Sequence, residues 1–320
     1  MVHLQRNTSS SNPGTARPVP GFFFPPEVYA TLILILTEFF NIMVLAQKRE
    51  RLESSLQKLG SALVAFSGGV DSTLVLAVAH SVLGKNVLAV TAQSESLPQR
   101  ELEQAARLAR TLGVDHKIIA TCETSSPDYL KNPVNRCYFC KSELYDKLSS
   151  LASEHKLAHI LNGVNKDDLG DHRPGISAGK EAGVLSPLAD AGFNKQDVRD
   201  LAKKMGLPNW KKPAMACLSS RVPYGEAITI EKLAVIEQAE GFLYSLGFNQ
   251  LRVRHHGDIA RIELPQEDIS RFMEKSVTDR VQQEFKKIGF KFIAVDIEGF
   301  RSGRMNESIK KNGDPSSKPE

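Results

Sequence analysis

The chain has 320 residues, of which 41% are apolar and 24% charged. This composition is ordinary for a soluble globular protein of one large or two medium domains, and it excludes a disordered or collagen-like chain. Basic residues exceed acidic residues by only four, so nucleic acid is not expected as a partner, since duplex binders concentrate basic charge on one face. The cysteines are too few for a disulfide scaffold: Cys122, Cys137, Cys140 and Cys217.

The N-terminal segment differs from the rest of the chain. Residues 1–20 are rich in Ser, Asn, Pro and Thr, which predicts disorder. Residues 28–46 are apolar and long enough to span a bilayer, but an acid such as Glu38 near the centre costs about 3 kcal/mol on insertion. Three interpretations stay open: a membrane anchor or buried helix, a signal peptide, and a translation start at Met43. A membrane is expected as a partner only under the first.

From Lys48 onward, short apolar runs alternate with amphipathic stretches. This alternation predicts an α/β fold, a parallel sheet with helices on both faces, whose ligand lies at the carboxyl ends of the strands. Strands are predicted at residues 62–66, 87–92, 115–121 and 159–162, and helices at 49–59, 71–83, 98–112, 136–155 and 194–205.

A smaller α+β unit follows. It is predicted to contain a helix at residues 229–246, strands at 251–256, 259–264 and 291–297, and a helical region at 266–288. The predicted division of the chain is an extension at 1–46, a nucleotide domain at 47–206, an active-site loop or linker at 207–225, a C-terminal domain at 226–306 and a disordered tail at 307–320.

The stretch Ser67-Gly68-Gly69-Val70-Asp71-Ser72 lies between a predicted strand and a predicted helix. Its glycines let the backbone approach a phosphate, and the helix N-terminus offers unpaired N–H groups. The alternative is an ordinary glycine turn. The stretch lacks the G-x-x-x-x-G-K-[ST] and G-x-G-x-x-G patterns and resembles the PP-loop of the ATP pyrophosphatases, which have the adenine nucleotide alpha hydrolase-like fold.

In that family the loop holds the β and γ phosphates of ATP while a substrate oxygen attacks the α-phosphorus. The resemblance implies ATP and Mg²⁺ as cofactors, with Asp71 helping to organise the metal. Ser94 and Gly163 lie near predicted strand ends, where adenosine should bind. The expected ATP-binding residues are Ser67, Gly68, Gly69, Asp71, Ser72, Ser94 and Gly163.

Two cysteines, Cys137 and Cys140, lie three positions apart near a predicted helix start, where Arg136 and Lys141 should favour thiolates. Cys217 lies in a second basic segment. Packed cysteines, a redox disulfide and a zinc site completed by Cys122 are alternatives. Three thiols with an open fourth position suit an iron–sulfur cluster with one unligated iron best, which makes Cys137, Cys140 and Cys217 the expected metal ligands.

Together these segments resemble the LarE family, the ATP-dependent pyridinium-3,5-biscarboxylic acid mononucleotide sulfurtransferases that make the nickel-pincer cofactor of lactate racemase. The resemblance covers residues 49–308, about four-fifths of the chain, and is of the three-cysteine type. The matching segments are residues 67–72, 91–94, 135–141, 162–168, 171–175, 217–225, 252–258 and 298–303.

The resemblance implies that ATP adenylylates a carboxylate of the mononucleotide and that sulfur then displaces AMP. Cys217 is the expected catalytic residue, with sulfide carried on a [4Fe–4S] cluster in the three-cysteine form. The expected substrate or phosphate ligands are Lys141, Ser220, Arg221, Glu240, Arg252 and Arg254.

These residues also have alternatives without a function. Arg252 and Arg254 could lie on a solvated charged strand face, and Glu240 could occupy an exposed helix position. The alternative functions are tRNA thiolation by the same chemistry and a nucleotide-responsive binding protein. We expect a cytoplasmic homo-oligomer.

Overall fold

The computed structural model describes residues 26–170 and 174–301. The predicted disordered start and tail, and Asp171, His172 and Arg173 of the family resemblance, lie outside the described residues. The chain divides into two units, Met1–Val44 and Leu45–Glu320. The finer predicted boundaries at 206 and 225 stay predictions. Among the helices of the described residues, none has the length and apolar content of a membrane crossing.

Four parallel strands form the first sheet, in the order β3-β2-β1-β4. Ala62 of β1 lies opposite Val87 of β2 on one side and His159 of β4 on the other. The loops after β2, β1 and β4 therefore lie side by side at one edge of the sheet. The strands are β1 (Ala62–Ala65), β2 (Val87–Gln93), β3 (Asp115–Ala120) and β4 (His159–Leu161), as the apolar runs predict.

Both faces of this sheet are covered by helices. Ala62 and Val64 belong to one buried cluster and Leu63 to another on the opposite face, because alternate strand residues point to opposite sides. The predicted α/β architecture is confirmed. Its helices are α1 (Pro26–Gln57), α2 (Val70–Leu83), α3 (Gln99–Thr111), α4 (Pro127–Leu130), α5 (Arg136–Glu154), α6 (Pro174–Glu181), α7 (Pro187–Asp190) and α8 (Lys195–Lys204).

Two differences from the sequence-based elements concern helices. The apolar segment and the predicted helix at residues 49–59 form one continuous helix, α1. The glycine-rich stretch after β4 is predicted to be loop, yet it contains the short helices α6 and α7. Each of these begins with a proline, which is favourable at the first helical position because its missing N–H has no partner there anyway.

The predicted α+β region in the C-terminal part of the chain has a three-stranded sheet in the order β5-β6-β7. Strand β5 runs antiparallel to β6, and β7 runs parallel to it. The predicted helical region divides into two helices near Glu274. Phe248, Phe272 and Phe285 fill its core. The elements are α9 (Ile230–Ser245), β5 (Arg252–His256), β6 (Ile259–Glu263), α10 (Gln266–Phe272), α11 (Lys275–Ile288) and β7 (Phe292–Val295).

Candidate functional site

The glycine loop lies at the carboxyl end of β1 and leads directly into α2. Gly68 has a φ of +69°, and a Cβ there would lie 3.1 Å from Ala105 on α3, so only glycine fits. The hydroxyls of Ser67 and Ser72 are 3.1 Å apart across the loop. No side chain caps the start of α2. The loop therefore has the form expected of an anion-binding turn.

Asp71, in the first turn of α2, faces the loop that follows β4. Asn165 donates a hydrogen bond from Nδ2 to Oδ1 of Asp71 at 2.8 Å. Burial raises the pKa of Asp71, and the nearby Asp168 carboxylate adds to this, whereas the Asn165 hydrogen bond and Lys195 oppose it. A carboxylate at such a position gains stability from a bound cation, and carboxylate oxygens are ligands suited to Mg²⁺.

Gly163 brings the end of β4 against the start of α2. A Cβ at this position would lie 2.7 Å from the backbone nitrogen of Ser72. No side chain fits in that space. The predicted ATP-binding residues from the loops after β1 and β4 are therefore brought together by direct backbone packing.

Ser94 follows β2 and points to a buried carboxylate. Its hydroxyl donates to Oε1 of Glu123 at 2.6 Å, and the Ser96 hydroxyl donates to the same oxygen at 2.5 Å. Glu123 is 2% exposed. The loop after β2 is thus fixed by a residue that sequence reasoning missed, because an acid in a polar loop gives no sign of burial.

Cys217 lies at the start of a tight turn of residues 218–221. The next residue, Leu218, donates its N–H to the carbonyl of Ser96 at 2.8 Å. Ser219 shares a 2.6 Å hydrogen bond with the buried hydroxyl of Tyr129. Burial raises the pKa of Tyr129, so it stays protonated. The turn that bears Cys217 is therefore anchored beside the loop that follows β2, next to the glycine loop.

Arg221 and Arg254 are both committed to internal contacts. Arg221 pairs with Glu240, whose Oε1 also accepts the N–H of Val253 at 3.0 Å. Arg254 donates to both oxygens of Glu263 and to the carbonyl of Ser220. All these side chains are buried, so the solvated strand face and the exposed helix position are wrong as alternatives.

Arg252 has different surroundings. Its guanidinium stacks on the ring of Phe300, and its only hydrogen-bond acceptor among the described residues is the carbonyl of Arg301, at 3.5 Å. Burial, together with Arg254 and Arg221, lowers its pKa to about 10. It lines a small, narrow cleft along with Arg221, Tyr244 and Phe300. Of the three predicted arginines, this one has donors left for an anion.

No disulfide joins any of the four cysteines. Cys137 is exposed, whereas Cys140 and Cys217 are partly buried. Burial raises the pKa of the Cys140 thiol to about 12; Lys141 opposes this, and negative charge at Glu123, Cys217 and Cys137 adds to it. The thiolate expected from the helix start is therefore wrong for Cys140, because burial outweighs the helix end.

The charges of Cys137 and Cys217 both act on Cys140, so the three predicted metal ligands lie in one neighbourhood, with Lys141. Gly175 of α6 packs there too, since a Cβ on it would lie 2.9 Å from Lys141. Within residues 26–170 and 174–301, no three His, Cys, Asp or Glu side chains are placed to hold a metal ion. A zinc site completed by Cys122 is therefore not present in the described residues.

Comparisons with known proteins show what this chain is similar to. The family model of the queuosine biosynthesis protein QueC matches residues 61–126, from β1 to the loop after β3. An uncharacterised protein of Synechocystis sp. is 48% identical over 84% of this chain and 100% of its own length. An uncharacterised protein of Methanocaldococcus jannaschii is 28% identical over 81% of this chain and 100% of its own. A pyridinium-3,5-bisthiocarboxylic acid mononucleotide synthase of Lactiplantibacillus plantarum is 44% identical over 83% of this chain and 96% of its own.

Proposed function

Because the chain belongs to the LarE family of ATP-dependent sulfurtransferases, we propose that it converts a carboxylate of a pyridinium biscarboxylate mononucleotide into a thiocarboxylate. This conversion would serve the biosynthesis of a nickel-pincer cofactor. The observation that carries the proposal is the 2.8 Å hydrogen bond from Leu218 to Ser96. It anchors the turn bearing Cys217 at the edge of the sheet where the glycine loop lies, so activation by ATP and attack by sulfur can occur within one site.

The first step needs a better electrophile than a carboxylate. A carboxylate oxygen of the substrate attacks the α-phosphorus of ATP, the bond from that phosphorus to the bridging oxygen of the β-phosphate breaks, and pyrophosphate leaves. Loop N–H groups with Ser67 and Ser72 bind the β and γ phosphates, where negative charge accumulates. Asp71, which Asn165 orients through its Nδ2 hydrogen bond, would hold Mg²⁺, and the ion would neutralise that charge.

The second step is attack by sulfur on the carbonyl carbon of the acyl adenylate. The carbon–oxygen bond to AMP breaks and AMP leaves with the electron pair. A sulfide nucleophile gives the thiocarboxylate directly on losing its proton. Sulfur from Cys217 itself gives it only when the Cβ–Sγ bond also breaks with loss of the Cα proton, which leaves dehydroalanine at position 217. Cys217 is the proposed catalytic residue, and its turn is held by buried contacts from Ser96, Tyr129 and Arg221. A second round would treat the other carboxylate.

Arg252 is the proposed ligand of the mononucleotide phosphate or the second carboxylate. It lines the cleft beside Arg221, and an anion there would offset the mutual repulsion of Arg252, Arg254 and Arg221. Arg254, Arg221, Glu240 and Ser220 would support that site by fixing the strand and the turn. Lys141 would contribute positive charge on the side of the cysteines.

The cluster proposal rests on the number of thiols. Cluster ligands bind different irons, so they lie further apart than the ligands of one metal, and three thiols leave one iron open. We propose that Cys137, Cys140 and Cys217 hold such a [4Fe–4S] cluster. When bound, it would supply a sulfide nucleophile without free sulfide.

The test begins with protein purified without oxygen. Iron, acid-labile sulfide and visible absorption are measured before and after anaerobic reconstitution, and absence of iron would reject the cluster. ATP, Mg²⁺ and the biscarboxylate mononucleotide are then added, and pyrophosphate, AMP and thiocarboxylate are quantified. Mass spectrometry of the peptide containing Cys217 shows whether a sulfur has been lost. Thiolation of tRNA in place of the mononucleotide would identify the alternative function.

A further inference from the structure

A buried ion pair lies against the glycine loop and takes no part in the steps above. Nζ of Lys212 lies 2.6 Å from Oε2 of Glu101, and the two side chains are 10% and 5% exposed. Such a pair is weak evidence of a role in stability, because the loss of hydration roughly cancels the attraction. The position of the pair, against the backbone of the glycine loop, says more about its role than its charge does.

The Lys212 ammonium also donates to the carbonyl of Gly68 at 3.3 Å. Nδ2 of the buried Asn209 donates to the same oxygen at 3.1 Å and to the hydroxyl of Thr73 at 2.9 Å. Two side chains from the segment after α8 therefore hold one carbonyl of the glycine loop. Glu101 lies on α3, the helix whose Ala105 packs against the Cα of Gly68.

The next carbonyl is held as well. The oxygen of Gly69 accepts hydrogen bonds from the hydroxyl of Thr73 at 2.7 Å and from that of Ser72 at 3.2 Å. A loop that binds phosphate must present its N–H groups, and a carbonyl oxygen turned toward the anion would repel it. With both glycine carbonyls bonded elsewhere, the loop is fixed in one orientation.

We infer that Lys212 is a positioning residue for the ATP step, acting with Asn209 to hold the Gly68 carbonyl away from the triphosphate. Glu101 neutralises and orients the ammonium, so Lys212 acts through the loop and not as a ligand of the phosphates. The inference rests on the proposed function and deepens it. It predicts an effect on ligands that carry the β and γ phosphates and none on AMP.

The test uses the full chain and titration calorimetry with ATP, inorganic pyrophosphate and AMP. Lys212→Met alone leaves Glu101 buried without its cation and could impair folding, so the main variant is the double substitution Lys212→Met/Glu101→Gln. The matched control is Lys211→Met, which removes an exposed neighbouring charge. Thermal unfolding is recorded for every variant.

For the double variant, we expect the Kd for ATP and for pyrophosphate to rise about tenfold or more, while the Kd for AMP changes less than about twofold. The control should bind all three ligands as the wild type does. Wild-type affinity for ATP in the double variant would overturn the inference, and so would an equal loss of AMP binding, which indicates a general structural defect. If the wild type binds no ATP, it is the proposed function that fails.

Discussion

The guanidinium of Arg221 and the carboxylate of Glu240 form a two-pronged ion pair, with Nε 2.9 Å from Oε1 and Nη2 3.0 Å from Oε2. Both side chains are almost fully buried, 1% and 4% exposed. The remaining nitrogen of Arg221 donates to the carbonyls of Ala216 and Cys217. Glu240 on α9 therefore fixes, through one arginine, the backbone at Cys217, the proposed catalytic residue.

Glu240→Ala should destabilise the chain by about 3–5 kcal/mol, because it leaves the buried guanidinium without its counter-charge. Urea unfolding measures the free energy. Gln238→Ala, an exposed substitution on the same helix, should change it by less than about 0.5 kcal/mol. A loss below about 1 kcal/mol for Glu240→Ala would show that the pair contributes little.

Cys217→Ala should abolish thiocarboxylate formation while pyrophosphate is still released, because the glycine loop and its ligands are untouched; AMP then forms only by hydrolysis of the acyl adenylate. Separate assays of pyrophosphate release and product sulfur measure the two steps. Cys122→Ala is the matched control: this cysteine is exposed and does not appear among the charges acting on Cys140, so transfer should proceed normally. Near wild-type transfer by Cys217→Ala would refute the assigned role.

Gly163→Ala should weaken ATP binding by about tenfold or more, since the new Cβ must displace the Ser72 nitrogen that lies 2.7 Å away. Overpacking of this kind also costs about 1–3 kcal/mol of stability. Gly170→Ala is the control, because a Cβ there meets nothing within 4 Å. Calorimetric titration with ATP compares the two, and equal affinities would contradict the close approach of β4 to α2.

Arg252→Ala should raise the KM for the mononucleotide with little loss of stability, because burial and two neighbouring arginines already disfavour its charge and lower its pKa to about 10. Arg254→Ala should instead lower the free energy of unfolding by about 3–5 kcal/mol, since Arg254 pairs with the buried Glu263. Steady-state kinetics and urea unfolding separate the two effects. If Arg252→Ala instead lowered stability and Arg254→Ala raised the KM, Arg254 and not Arg252 would be the anion ligand.

Asp71→Asn should stabilise the fold at neutral pH and abolish ATP-dependent pyrophosphate release. Burial raises the pKa of Asp71 above 3.8 in the folded chain, so between 3.8 and the raised value the folded state binds more protons than the unfolded state. Stability therefore falls as pH rises through that window. Above this pH window the Tm of the variant should exceed that of the wild type by the largest amount. Below pH 3.8 the two Tm values should be equal. A variant Tm below that of the wild type at neutral pH would contradict the predicted upward shift of the Asp71 pKa.

The strands and the main helices could be predicted because each carries its own signal. An apolar run such as the one at β1 is short and bounded by glycines, and it needs no distant partner to be recognised. The alternation of Arg252 and Arg254 likewise places both on one face of β5. The structure adds that this face is buried, a property that depends on Glu263 and on the turn of residues 218–221.

The supporting residues of the site could not be predicted in the same way. Glu123 and Lys212 are polar residues in irregular segments, and Tyr129 lies in the four-residue helix α4. In such segments, polarity usually means exposure. Their burial follows from contacts with distant parts of the chain: Glu123 with Ser94, and Lys212 with Gly68, at separations of 29 and 144 residues. Contacts at such separations leave no pattern in the neighbouring sequence. The side chains that support the proposed site therefore cannot be identified from the sequence alone.

The turn at Cys217 is built from its backbone. The carbonyl of Cys217 accepts hydrogen bonds from Ser220 and Arg221, and the N–H that ties the turn to Ser96 belongs to Leu218. None of these contacts uses sulfur, so the turn should keep its shape in a molecule that has used up its transferable sulfur, whether that sulfur is a cluster-borne sulfide or the Cys217 sulfur itself. Spent copies would then still bind ATP and the mononucleotide, and they would act as dead-end competitors until the cell reloads or degrades them.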